Sequence, residues 1–254
     1  ALMYFNDSNR PYLINFDLDM NAGVLVLHFS KTVVVSSLNF TAIVLQEIPN
    51  TIFTFNAHRY RLTGGMIISL GNTPDIFIQL SFKDFTSIQA AEIAYSKDSS
   101  YLVFGDGAIL DTYGNPSLPR YDGMNPATVN IYIRDMVGPE LLTFTLNLTS
   151  NHLIISFDDS VSISTFNVSE VTLLGSNFSV NYTLTSSSSV VTKLNNPVVD
   201  VLLSVYDLNN IKKLFLMAKN VNNTYLLVNH NTVMNMVGLA AVEIIAPLRV
   251  TVFV

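Results

Sequence analysis

Shifted by 128 residues, the chain lies on itself without a gap over its opening stretch: Pro11 falls on Pro139, Leu13 on Leu141, Phe16 on Phe144, Leu18 on Leu146, Leu25 on Leu153, Phe29 on Phe157, Val33 on Val161, Asn39 on Asn167 and Leu45 on Leu173. The correspondence continues further along. LSFKDFTSI (Leu80 to Ile88) matches LSVYDLNNI (Leu203 to Ile211), and YLVFGDGAILDTYG (Tyr101 to Gly114) matches YLLVNHNTVMNMVG (Tyr225 to Gly238). Apolar side chains that recur at one spacing twice must fill the same kind of core twice, so the repeat restricts the chain to two copies of one folding unit in series. A length of 254 residues accommodates two ordinary domains. The expected division is a leading segment over residues 1–8, a first unit over 9–136 and a second over 137–254.

Within each copy the pattern is that of extended chain. Leu25, Leu27 and Phe29 point one way and Val24, Val26 and His28 the other, the period of two of a half-buried strand. Leu153, Ile155 and Phe157 repeat it. Further strands are predicted at 42–46, 52–55, 66–69, 76–80, 101–104 and 129–133, with equivalents in the second copy, and Gly, Asn, Asp and Pro fall between them as turn chemistry requires. Short helices are predicted over 85–96 and 208–218. Phe16, Phe29, Phe144 and Phe157 are expected to fill the two cores. The fold class is therefore all-β, each copy a β-sandwich.

Composition narrows the function classes. Charged residues are 13% of the chain, about half the usual share, while hydrophobic residues are 49%. That excludes disorder and leaves an exterior so poor in charge that another chain or sugar is expected to cover part of it. With a net charge of -6, a pI near 5.0 and only Lys212 and Lys213 adjacent, there is no basic footprint for nucleic acid. Cysteine is absent, which removes disulfides and thiolate metal sites. The segment most like a membrane span, Val237 to Val254, carries Glu243, Pro247 and Arg249 and then alternates as a strand does, so no span is expected. The opening ALMYFNDSNRP lacks a basic region and a long apolar core; the signal of an exported chain would have been removed ahead of this numbering.

A search for chemistry is mostly negative. His28, His58, His152 and His230 stand apart, without HxxxH or HExxH spacing, and read as surface or strand histidines. There is no GxSxG, P-loop or GxGxxG, and LTGGM (Leu62 to Met66) reads as a turn. Three carboxylate pairs, Asp17 with Asp19, Asp106 with Asp111 and Asp158 with Asp159, invite calcium or acid–base readings. None has the spacing of a calcium loop, and most of their counterparts in the other copy lose the charge. Sugar-binding platforms often use Trp, which is absent, so carbohydrate recognition is a secondary reading. No catalytic, cofactor-binding or metal residue is assigned, and the chain is not expected to be an enzyme.

One family resemblance can be placed on residues. A Pro-x-Leu-x-x-Phe strand opens at Pro11, LVLHFSKTV follows from Leu25, then SLNFTAI from Ser37, a late Tyr101-Leu102 strand, and ILDTYGNP from Ile109 to Pro116. This order resembles the bacterial-type Ig-like modules strung along surface-layer proteins and adhesins. The resemblance implies tandem Ig-like β-sandwiches with an extracellular or cell-surface, non-enzymatic role in scaffolding or adhesion. In the second copy the Asp-x-x-Gly-Asn turn becomes NMVGLA (Asn235 to Ala240), losing both its Asp and its Asn, which argues against any function that needs those polar groups.

Two features point outward. ALMYF, residues Ala1, Leu2, Met3, Tyr4 and Phe5, aligns at the same offset with Val129 to Ile133, the last strand of the first copy, and RVTVFV (Arg249 to Val254) is that strand in the second. Three closing strands for two copies leave one surplus, expected either to close a preceding module of a longer array or to be donated to the sheet of a neighbouring subunit. N-glycosylation sequons occur at Asn6, Asn39, Asn147, Asn167, Asn177, Asn181 and Asn222, and those at Asn39 and Asn167 occupy one place in the two copies. The expected role is a structural subunit of an extracellular glycosylated filament or surface coat. Its partners are copies of itself, and N-linked glycans rather than a cofactor are attached. The alternative is an adhesin gripping a glycan or protein receptor on a repeat stalk.

Overall fold

In the computed structural model, which describes residues 7–254, the first unit builds from eight strands and one helix: β1 (Leu13–Asp19), β2 (Val24–Val33), β3 (Ile43–Gln46), β4 (Arg59–Arg61), β5 (Gly65–Ile67), β6 (Thr73–Leu80), α1 (Phe82–Ala90), β7 (Tyr101–Phe104) and β8 (Ala127–Ile133). Hydrogen bonding orders them β4-β3-β7-β8-β1-β2-β6-β5. The second unit has β9 (Leu141–Asn147), β10 (His152–Val161), β11 (Thr172–Leu174), β12 (Asn181–Thr183), β13 (Ser189–Val190), β14 (Asn196–Leu202), α2 (Val205–Lys213), β15 (Tyr225–Leu227), β16 (Leu248–Arg249) and β17 (Val252–Phe253). Its sheets run β13-β14-β10-β9-β17 and β12-β11-β15-β16. The chain is thus mostly β, and it divides into compact units after Asp135. The predicted surplus strand Ala1 to Phe5, and the sequon at Asn6, lie outside the described residues.

The difference in sheet count conceals one set of pairings. β1 runs antiparallel to β2, and β2 to β6, as β9 does to β10 and β10 to β14. β3 lies between β4 and β7 as β11 lies between β12 and β15. The closing strand explains the count. In the first unit β8 pairs antiparallel with β7 through Thr128 and Ala127, then parallel with β1 through Val129 to Ile133, joining both sheets. In the second, β16 pairs with β15 and β17 runs parallel to β9, the pairing interrupted at Val250 and Thr251. One segment does both tasks in each unit.

Alternation decides which side chains go inside. Leu25, Leu27 and Phe29 are buried, as are Leu153, Ile155 and Phe157, while His28 and Val24 on the opposite face are only half-buried. Phe16, Phe29, Phe144 and Phe157 all sit in the cores, where each contributes on the order of 2–3 kcal/mol by removal from water. In the second unit the core draws on both sheets and on Leu208 and Ile211 of α2. Turns repeat too. Asp19 accepts from the backbone N–H groups of Asn21 and Ala22 at the β1–β2 turn, and Asn147 accepts from Thr149 and Ser150 at the β9–β10 turn. The left-handed position there is Gly23 (φ 66) in one unit and Asn151 (φ 65) in the other, the two residue types that tolerate it best.

Three sequence expectations are corrected. Residues 52–55 form no strand. The side chains of Asp122 and Asn50 take the N–H groups of Thr51 and Ile52, the chain turns at Thr54, and Phe53 and Phe55 are left 87% and 101% exposed. The helices begin three residues earlier than predicted and are shorter, because Ser81 and Ser204 cap them with Asp84 and Asp207 at the third helical position. The first then ends where Glu92 and Ala94 take positive φ values. β4, a strand with too few residues to show a period in the sequence, alternates two exposed arginines around the half-buried Tyr60.

Candidate functional site

The most elaborate polar site in each unit is a buried aspartate that no sequence motif singled out. Asp84 is 0% exposed and accepts from the Tyr60 hydroxyl (2.9 Å), the Thr63 hydroxyl (2.7 Å) and the N–H groups of Thr63 and Gly64 (2.9 and 3.1 Å). Asp207, also 0% exposed, accepts from the Tyr182 hydroxyl (2.7 Å), the Thr185 hydroxyl and N–H, and the Ser188 hydroxyl. Burial alone would raise these carboxyls, but the converging donors outweigh it and hold both below the usual carboxylate range. Each aspartate therefore ties the segment after β4 or β12 to the start of a helix. With every donor supplied by the protein itself, the chemistry is that of an internal clasp, not a reaction centre. The recurrence of LSxxD in both copies was the available signal.

The carboxylate pairs are likewise engaged. Asp111 accepts from the N–H groups of Tyr113 and Asn115 (2.9 and 2.8 Å) and holds the ILDTYGNP turn; Lys31 lies 3.3 Å from its other oxygen. In the second unit Asn235 holds the same turn through Val237 and Leu239, and its amide donates to Asp159, the residue at the place of Lys31. The turn survives the loss of charge because a side-chain carbonyl, not an anion, is what it needs. Asp106 pairs with Arg10. Asp158 accepts from the N–H of Glu140, and burial keeps its carboxyl above the usual range. Among the described residues no three His, Asp or Glu side chains converge as a metal ion would require.

His28 is better partnered than its isolation in sequence indicated. Its Nε2 lies 2.9 Å from Asp17 and its Nδ1 2.7 Å from Asp75, while Asp17 also accepts from Asn130 and the N–H of Ile131. Both ring nitrogens face carboxylates, so the ring fits as an imidazolium bridging β1, β2 and β6. Burial works against that charge, but the bonds to Asp75 and Asp17 raise the His28 pKa overall. Since the folded-state value lies above the ordinary one, the bridge stabilises fully below the ordinary histidine range and is lost as pH rises through the raised value. NMR titration of the ring should show it losing its proton later than a free histidine, and Asp75→Asn should move that titration back down. A midpoint indifferent to Asp75→Asn would contradict the bridge.

The sequons lie at the surface. Asn39 and Asn167 are exposed and occupy the same place in the two units, each capping a short 3-10 helix. At Asn39, Asn147, Asn167 and Asn177 the side-chain carbonyl accepts from the N–H of the sequon's own Ser or Thr (2.9–3.2 Å). Among the described residues the amide nitrogen, where a sugar attaches, makes no hydrogen bond at these four positions. Asn181 opens the edge strand β12, with Asn177 in the turn before it. Asn222 is exposed, but the hydroxyl of its Thr224 is buried against Asn220. Among the described residues no helix is long and apolar enough to cross a membrane.

No protein-family model matches this chain, and no curated protein does. Among solved structures, the I9-I11 tandem from titin is similar at 8% identity over 96% of this chain, with a TM-score of 0.18, a likeness too distant to bear on the fold. The chain spans 65% of that chain's length.

Proposed function

We propose that each unit is an Ig-like β-sandwich and that the chain is a structural segment of an extracellular, N-glycosylated filament or surface coat, a linear series of such units. The observation that carries this reading is that each unit is closed by its own last segment, β8 in one and β16 with β17 in the other. Ala1 to Phe5 copies that segment in sequence, yet both places it could close are filled. Its proposed partner is therefore a unit outside this chain, whether a preceding module or a neighbouring copy. A chain with few charges, whose sequon asparagines Asn39, Asn167, Asn177, Asn181 and Asn222 are exposed, fits a coat whose exterior is sugar.

Negative-stain imaging and sedimentation of the glycosylated chain test this. Fibres or long oligomers are expected, and removal of residues 1–6, which spares Asp7 and its ion pair with Lys31, should reduce them to monomers. Ordered fibres that survive the deletion would exclude joining through Ala1 to Phe5. Glycopeptide analysis should find sugar at both Asn39 and Asn167; bare asparagines at both in secreted material would remove the glycosylated coat.

A further inference from the structure

Sheets end in strands with unpaired backbone groups, and proteins blunt such edges with charge, proline, sugar or short strands. Six strands end the three sheets, and five of them are blunted. β16 carries exposed Arg249 after Pro247, and β17 is only two residues long. β4 exposes Arg59 and Arg61, β12 carries the sequon of Asn181, and β13 opens within a run of serines. β5 is different. Among the described residues it pairs with β6 alone, and the segment Gly64 to Asn72 holds no charged residue and no proline. Met66 of β5 and, just beyond it, Ile68, whose N–H still bonds to Phe77, and Leu70 are 61%, 43% and 98% exposed, so the exposed alternate positions along this edge are apolar.

The second unit supplies an internal control. Met66 stands opposite Gln79 as Ser189 stands opposite Leu202, and the N–H of Ile68 bonds to Phe77 as that of Val191 bonds to Asp200. Met66, Ile68 and Leu70 are therefore matched by Ser189, Val191 and Lys193. One edge of one topology is polar and ends in lysine in the second unit, and apolar and uncharged in the first. Phe77, beside Ile68 on β6, extends the apolar surface inward and is answered by Asp200, which pairs with His152.

We infer that the β5 edge of the first unit accepts an added strand, and that the strand is Ala1 to Phe5 of a second copy of this chain. This rests on the strand-joining reading above and names its acceptor. The donor segment has no charged side chain, carries four large apolar or aromatic side chains in a row from Leu2 to Phe5, and copies a strand whose place in both units is already filled. The acceptor offers an uncharged backbone edge flanked by apolar side chains. Main-chain bonds would supply affinity, and the ridge of Met66, Ile68 and Leu70 would favour an apolar strand over a charged one.

The chain has no cysteine, so introduced pairs report without background. Ile68→Cys combined with Met3→Cys or with Tyr4→Cys covers both faces of the donor, and under mild oxidation one combination should give an intermolecular disulfide ladder on a non-reducing gel. In parallel, Met66→Lys with Ile68→Lys should leave monomers with an unchanged melting temperature, whereas Ser189→Lys with Val191→Lys should polymerise as before. Polymers that vanish on removal of residues 1–6 but persist in the Met66→Lys, Ile68→Lys variant, without cross-linking, would overturn the β5 acceptor and leave the strand-joining reading standing. Polymers indifferent to the deletion would overturn both.

Discussion

Replacing Asp207 with alanine is expected to destabilise the second unit by about 3–5 kcal/mol, and Asp84→Ala to do the same to the first, because several buried donors are stranded at about 1–3 kcal/mol each. Against a typical domain stability of about 5–15 kcal/mol, either change brings its unit close to unfolding at body temperature. Asp→Asn keeps the shape and should cost less, while leaving an amide N–H₂ among groups that are themselves donors. The pH dependence follows from the lowered carboxyl values of both residues. Their contribution is present above the ordinary aspartate range and disappears as pH falls through the folded-state values. Denaturant titrations should therefore show acid sensitivity in the native chain that the alanine variants lack. Variants melting like the parent would remove the clasp from the account.

Phe144→Ala should cost the second unit about 3–5 kcal/mol, the usual range for emptying a buried aromatic site. The ring is 1% exposed and packs in a core confined to residues of that unit. Calorimetry of the variant should show one transition moved down and the other in place. Phe16→Ala, the same position in the first unit, should reverse which transition moves. Equal displacement of both transitions by either variant would contradict self-contained cores.

Much of this architecture could be read from the residues, and the parts that could not have physical reasons. β2 and β10 are long, and each sets three successive apolar residues on one face, Leu25, Leu27 and Phe29 or Leu153, Ile155 and Phe157, so the period of two registers. β4 is three residues with one inward side chain, too short for a period to register. Residues 52–55 alternate convincingly but lack a ladder partner, and Asp122, distant in sequence, takes the N–H of Thr51 that a strand would use. The aspartate clasps were hidden for a similar reason: the donors of Asp84 lie at Tyr60, Thr63 and Gly64, some 20 residues away across β5 and β6. The repetition of LSxxD marked the position and not the partners. At Asn39 and Asn167 the sequence located the sequons, while the turn in which each side-chain oxygen accepts from the N–H of Thr41 or Ser169 emerged only from the backbone.

The central claim is that these units are made to be joined in line through a strand that neither of them needs. A cryo-electron microscopy reconstruction of the assembled chain tests it most directly. The account predicts a linear polymer in which Ala1 to Phe5 of each copy continues the sheet of the next. Copies that remain single at high concentration, or that touch only through other surfaces while Ala1 to Phe5 lies against its own unit, would contradict it.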